Sequence, residues 1–190
     1  MLDATAAARA VSDAYAQLAR IHRSRVPGPR GASILERAVD AWTSGLIDVD
    51  AFAHKVLRQN WELATAEQRT AWRDALEHVL RRRYLRVYDA PTEHALEVLR
   101  SDVACTTASV RVALTPRRRG ATGRTLELDL VLVSGGWRVY DVTVDGASLA
   151  RTWRARFQRI EREGGLDAID AELRTLAARY RVAPDDAPDP

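Results

Sequence analysis

The sequence predicts an α+β fold in which several helices pack against one small, curved antiparallel sheet of about four strands. Apolar residues recur at helical spacing on both sides of a central segment, and within that segment, residues 95–144, their period changes to two. The 190 residues are 46% hydrophobic and 29% charged, which is typical of a globular domain. We therefore expect a single domain over residues 1–182 and a disordered tail, rich in Pro and Asp, over residues 183–190.

Four helices are predicted ahead of the strands. The first ends at a stretch that contains Pro27 and Pro29, which cannot continue a helix. The fourth is the best defined, because Thr65 and Gln68 have the spacing of a capping box and a long apolar stripe follows them. The predicted ranges are residues 2–23, 34–42, 49–59 and 66–88.

The central segment predicts an antiparallel meander. Val110, Val112 and Leu114 alternate with other residues, as do the four leucines from Leu126 to Leu132. Ser134-Gly135-Gly136 is typical of a hairpin turn. The expected strands include residues 137–144 as the return strand and residues 96–99 as a first strand.

Two further helices are predicted after the sheet. Asp145-Gly146 ends the return strand, and the hydroxyl of Ser148 is placed to cap the following helix. That helix, residues 149–163, ends at Gly164-Gly165, and a last periodic segment continues to Tyr180. Leu149, Trp153, Phe157 and Ile160 form one apolar stripe.

Composition excludes several classes of function. The net charge of +3 is too small to indicate a nucleic-acid-binding protein. No apolar run approaches the roughly 20 residues that span a bilayer, and MLDATAAARA lacks the apolar centre of a signal peptide, which by itself favours the cytoplasm. The four histidines show no metal-ligand spacing, and the lone Cys105 cannot form an internal disulfide. We expect no metal and no cofactor.

Two residue patterns allow more than one interpretation. The alternating leucines of residues 126–132 fit either the wall of an apolar binding site or a sheet face buried in the core, and the pattern alone favours the core. Asp141 interrupts an apolar strand, so it is either a general base in a pocket or a hydrogen-bonded structural carboxylate. Its parity places it with Trp137 and Val139, opposite Tyr140, Val142 and Val144, and we favour the structural interpretation.

One segment resembles a known family. Residues 137–157, WRVYDVTVDGASLARTWRARF, are similar to the signature of the MlaC family, the periplasmic phospholipid-carrying components of Mla (toluene-tolerance) transport systems. Upstream, the pattern on Trp61, Thr65, Gln68, Arg69, Leu80 and Tyr84 resembles the family's helical stretch. The closing EREGGLDAIDAELRTLAARY is also similar, so ordered blocks cover roughly residues 34–180.

The resemblance implies a monomeric periplasmic carrier, not an enzyme, with a nuclear-transport-factor-like cone and a cavity that takes acyl chains. The chain would then be the mature part of an exported protein, with Met1 added as a start. The implied partners are a phospholipid as cargo, an inner-membrane ABC transporter with its substrate-binding ring, and an outer-membrane lipoprotein complex. Arg151 and Arg154 are expected to contact head groups or partners. The expected acyl-chain lining is Leu76, Val79, Leu80, Tyr84, Val110, Val112, Leu114, Leu126, Leu128, Leu130, Leu132, Tyr140, Val142, Val144, Trp153 and Phe157.

Two other functions stay open at this stage. One is a small isomerase-like or dehydratase-like enzyme of the same fold, with Asp141 or a histidine acting on an apolar substrate. The other is an interaction module whose core is completely filled. The short basic runs Arg81-Arg82-Arg83 and Arg117-Arg118-Arg119 are read as solvated surface, although they would also suit anionic head groups.

Overall fold

The protein combines helices with an antiparallel sheet, so the predicted α+β class is confirmed. The structure, a computed structural model, describes residues 3–87, 91–118 and 120–182, and within these ranges it describes the side chains of all but residues 82–87 and 179–182. The predicted tail, residues 183–190, lies outside the described residues. Two compact units make up the chain. Unit 1 is Met1–Asp48 with Tyr88–Leu149, and unit 2 is Val49–Val87 with Ala150–Pro190.

The sheet belongs to unit 1 and is a five-stranded antiparallel meander in the order β1-β2-β3-β4-β5. The predicted strands are all present, but the first is much longer than residues 96–99. The fifth strand was not predicted: it has two residues and pairs with Thr143 and Val144 after the turn at Asp145 and Gly146, both of which have positive φ. The strands are β1 (His94–Ala104), β2 (Thr107–Pro116), β3 (Arg124–Val133), β4 (Gly136–Val144) and β5 (Ala147–Ser148).

A β-bulge at Tyr140 changes which side chains of β4 share a face. Asp129 lies opposite Asp141 and Leu130 lies opposite Val139, so Tyr140 is an extra residue of β4 in this register. The parity of β4 therefore shifts by one at this point. The predicted grouping of Val139 with Asp141, opposite Val142, is wrong: Val139 and Val142 pair with Leu130 and Leu128, which lie on one face of β3.

Two helices of unit 1 pack against the sheet. Helix α1 (Ala4–Arg23) is capped by Asp3, whose carboxylate accepts from the backbone N–H of Thr5 at 2.8 Å. Helix α2 (Pro29–Leu46) begins earlier than predicted because Pro29 suits the first turn of a helix. Helix α1 contacts β1, β2 and β4, while α2 contacts α1 and β4. The indole N–H of Trp42 donates to the carbonyl of Ala14 at 2.9 Å and ties α2 to α1.

Unit 2 is helical. The predicted helix of residues 49–59 is divided at Arg58, which has a φ of 49°. The predicted capping box is confirmed, since the Thr65 N–H donates to Oε1 of Gln68 at 2.9 Å and the Gln68 N–H donates to Oγ1 of Thr65 at 3.1 Å. Gly164 and Gly165 kink the last helix at the predicted break. The helices are α3 (Val49–Leu57), α4 (Gln59–Leu63), α5 (Ala66–Val87) and α6 (Leu149–Val182), the last beginning at the end of unit 1. Among the described residues, no helix has the length and apolar character needed to cross a membrane.

Candidate functional site

The alternating residues of β2 and β3 form one apolar surface, which we call the sheet patch. Val110 lies opposite Leu128 and Val112 lies opposite Leu126, so their side chains share a face of the sheet. All members of the patch are at most 5% exposed. The structure thus brings together six of the predicted acyl-chain residues. They are Val110, Val112, Leu114, Leu126, Leu128 and Leu130.

Strand β4 extends this patch. Val142 is buried opposite Leu128, and Val144 is half-buried opposite Leu126. Leu132 is half-buried at the other end of β3. Tyr140 is half-buried in the bulge. The sequence predicted that it shares a face with Val142 by regular alternation, but the bulge interrupts this alternation at Tyr140.

The sheet patch is covered by α1 and α2, and the space between them is small. A cavity of about 20 Å³ lies between these helices and the sheet, lined by Tyr15 and Trp42 above Val112, Leu126 and Leu128. A cavity of this size has room for about one water molecule. The patch is therefore closely packed in this structure. Neither Tyr15 nor Trp42 was predicted to line the site, although Tyr15 lies on one apolar stripe with Val11.

The remaining predicted lining residues lie in unit 2. Leu76, Val79 and Leu80 are buried on α5, and Trp153 and Phe157 are buried on α6 with their ring centroids 5.7 Å apart. The Nε1–H of Trp153 has no acceptor among the described residues, although the side chain is only 2% exposed. The side chain of Tyr84 lies outside the described residues. These positions are all buried and all belong to unit 2.

The two arginines expected to contact head groups or partners differ in their surroundings. Arg151 is exposed on the first turn of α6. The guanidinium of Arg154 donates through Nε and Nη2 to the carbonyl of Lys55, at 3.0 and 2.7 Å. Arg154 therefore stabilises the packing of α6 on α3 and lines a cleft of about 340 Å³ together with Phe157. That cleft is bordered mostly by polar side chains.

Asp141 is a buried structural carboxylate. It is 1% exposed, and its Oδ2 accepts from the hydroxyl of Ser148 at 2.7 Å. Asp141 is paired with Asp129, which alternates along β3 with Leu128 and Leu130. The carboxylate is therefore on the face of the sheet opposite the sheet patch. A substrate held on the patch would lie on the wrong side of the strand for Asp141 to act as its base.

A polar cluster of three side chains in unit 2, Trp72, Asp170 and Arg174, lowers the pKa of its carboxylate. The Nε1–H of Trp72 donates to Oδ1 of Asp170 at 2.8 Å, and Nε of Arg174 donates to Oδ2 at 2.6 Å. Burial acts to raise the pKa of Asp170, but the hydrogen bonds from Trp72 and Arg174 outweigh it and hold the pKa below its ordinary value. The folded state therefore favours the ionised carboxylate more than the unfolded state does.

This polar cluster predicts a pH dependence of stability. The folded pKa is depressed, so the stabilisation is present above the unfolded value of about 4 and is lost as pH falls through the folded pKa. Asp170→Asn should therefore reduce the loss of stability between about pH 5 and about pH 3. Urea unfolding at both pH values measures this difference. The matched control is Asp167→Asn, an exposed aspartate on the same helix. If the free energy of unfolding fell by the same amount between these pH values in Asp170→Asn and in the wild type, the lowered pKa of Asp170 would be contradicted.

Metal chemistry has no support in the described part of the chain. No group of three or more His, Cys, Asp or Glu side chains there is arranged to hold a metal ion. Nε2 of His54 lies 2.7 Å from Oε1 of Glu62, and this hydrogen-bonded pair is exposed on the surface.

Comparison with known proteins places these features in context. The family model described as MlaC protein matches residues 18–175 of the chain. A solved phospholipid-binding protein from Ralstonia solanacearum, in complex with a phospholipid, superposes with a TM-score of 0.72 at 21% sequence identity. The match covers 95% of this chain and 99% of that chain. No curated protein matches the chain significantly. At this identity the structural match shows a shared fold.

Proposed function

Because the chain belongs to the MlaC family, as the segment 137–157 predicted, we propose that it binds a phospholipid by its acyl chains and carries it through the periplasm. The lipid passes between an inner-membrane ABC transporter with its substrate-binding ring and an outer-membrane lipoprotein complex. The protein acts as a monomer and performs no covalent chemistry on its cargo. Family membership is the observation that carries this proposal, and the fold shared with a phospholipid-binding protein agrees with it.

The physical demand on such a carrier is the transfer of acyl chains out of a bilayer. Burying a methylene contributes about 0.8 kcal/mol, so two chains of roughly 14 methylenes each involve on the order of 20 kcal/mol. The carrier must replace most of this contact with apolar side chains. The sheet patch offers six such side chains on two adjacent strands, extended on β4 by Val142. The phosphate gains nothing from burial and stays near water.

The closed cavity adds a requirement to this proposal. About 20 Å³ between the helices and the sheet is far too little for an acyl chain, so α1 and α2 must move away from the sheet patch when lipid enters. The incoming chain then replaces the apolar contacts that the helices give up. This exchange keeps the patch out of water in both states. Binding is thereby coupled to a displacement of the two helices.

The proposal is tested by the lipid that the protein carries. The chain is purified without detergent, extracted with organic solvent and examined by mass spectrometry, before and after incubation with phospholipid vesicles. We expect phospholipid in the extract in proportion to the amount of protein. A globular protein of similar size, taken through the same steps, gives the background. If the extract holds no more phospholipid than this background under both conditions, the carrier function is wrong.

A further inference from the structure

A second cavity of unit 1 lies beside α1 and is basic. It measures about 430 Å³ and is bounded by the C-terminal half of α1, by the start of β1 and by the segment just after β2. We call it the basic cleft and define it by Tyr15, Arg23, His94 and Arg117. Arg117 is held in place through its backbone, since its N–H donates to the carbonyl of Glu93 at 2.7 Å.

The charge of the basic cleft suits an anion. Arg23 and Arg117 are exposed, and neither forms an ion pair with any described residue. No acidic side chain is among the described residues that line the cleft. Burial raises the pKa of Tyr15, while the charge of Arg117 acts to lower it, so the field of this guanidinium reaches the phenol. Two arginine guanidinium groups are donors that commonly bind phosphate oxygens.

The basic cleft adjoins the small apolar cavity above the sheet patch. Tyr15 and Leu96 line both the basic cleft and the small cavity above the sheet patch. The hydroxyl of Tyr15 is within hydrogen-bonding distance of the carbonyl oxygens of Pro91 and His94, at 3.2 and 3.4 Å, which fixes the ring between the two spaces. A molecule with its anionic end in the cleft would reach Val112 and Leu128 by passing this ring.

We propose that the basic cleft binds the phosphate group of the cargo lipid, and that the acyl chains pass Tyr15 and Leu96 to reach the sheet patch. This inference rests on the proposed function. It assigns the phosphate to Arg23 and Arg117 of unit 1, and not to Arg151 and Arg154. The polar end stays at the surface beside exposed guanidinium groups, and the apolar end enters where α1 meets β1.

The test compares two double variants with the same change in charge. Arg23→Gln with Arg117→Gln removes both guanidinium groups from the cleft. The control, Arg25→Gln with Arg118→Gln, alters exposed neighbours that do not line it. Each full-length protein is incubated with vesicles that contain phosphatidylglycerol, or diacylglycerol with the same acyl chains, and bound lipid is measured by mass spectrometry. Inorganic phosphate, followed by NMR shifts of the Arg Nε–H groups, is the third ligand. Thermal unfolding confirms that both variants remain folded.

We expect the cleft variant to take up about tenfold less phosphatidylglycerol than the control, with unchanged uptake of diacylglycerol. The proposal would be overturned if the two variants took up equal amounts of phosphatidylglycerol and the cleft variant still showed the same phosphate-dependent NMR shifts as the control. A third outcome is that phosphate-dependent NMR shifts require Arg23 and Arg117 while both variants take up the same amount of lipid. The cleft would then be a site for free phosphate, and the assignment of the lipid head group to it would be wrong. A wild-type protein that takes up neither lipid overturns the proposed function, and the phosphate arm then decides the site alone.

Discussion

Leu128→Trp should lower phospholipid occupancy on the order of thirtyfold. Leu128 lies at the centre of the sheet patch and lines the small cavity under Tyr15 and Trp42. An indole at this position occupies the path of an acyl chain and displaces two to three methylenes, which corresponds to about 2 kcal/mol of lost burial. Because the closed cavity holds only about 20 Å³, the same change should also destabilise the protein by about 1–3 kcal/mol. Mass spectrometry of bound lipid and urea unfolding measure the two effects.

A matched control separates blocked binding from general overpacking. Leu176 is 2% exposed on α6 and does not belong to the predicted acyl-chain lining. Leu176→Trp should cost a similar amount of stability but leave the lipid bound per folded molecule unchanged. Equal occupancy in Leu128→Trp and wild type would show that acyl chains do not use the sheet patch, which would then be ordinary core.

Local patterns were sufficient to predict most of the fold. The capping box at Thr65 and Gln68, the break at Gly164-Gly165 and the alternation of Leu126 to Leu130 each involve residues close in sequence. Such features depend on hydrogen bonds and periodicity within one element. The elements they define, including α5, β3 and the kink in α6, are therefore found where the sequence places them.

Features set by distant contacts were missed. The bulge at Tyr140 is defined by the register between β4 and β3, and nothing in the composition of β4 requires a bulge. Trp42 covers the sheet patch together with α1. Its indole N–H donates to the carbonyl of Ala14 on α1, which lies 28 residues away in the sequence. The break at Arg58 needs a positive φ, which is uncommon for arginine and has no signal in the sequence.

The candidate site shows the same division. Alternation identified the six residues of the sheet patch, but apolar side chains of this kind suit both a packed core and a lipid-binding wall. The difference is the volume left between helix and sheet, which depends on many contacts at once. The sequence showed that the run containing Arg117 would suit an anionic head group, but it could not predict the basic cleft, because Tyr15, His94 and Arg117 come from three separate segments.

Asp141→Ala should reduce the free energy of unfolding by about 3 kcal/mol. The carboxylate is buried, and its removal leaves the hydroxyl of Ser148, itself only 6% exposed, without this acceptor. It also opens a space where β5 folds back onto β4, next to the pair of Thr143 with Ser148. A shift of the urea midpoint without a change in the slope would measure the loss of stability. An unchanged midpoint would contradict a structural role for Asp141.

Ser148→Ala and the double variant determine how much of this effect belongs to the pair. Removing the hydroxyl alone should cost about 1 kcal/mol, since the larger part of the Asp141 effect comes from losing a buried acceptor. The two changes should be less than additive, because each removes the same 2.7 Å hydrogen bond. If Asp141 were instead a catalytic base, Asp141→Asn would abolish turnover of an apolar substrate while stability stayed constant. A structural carboxylate on the face opposite the sheet patch requires the reverse: lower stability, with lipid bound per folded molecule as in the wild type.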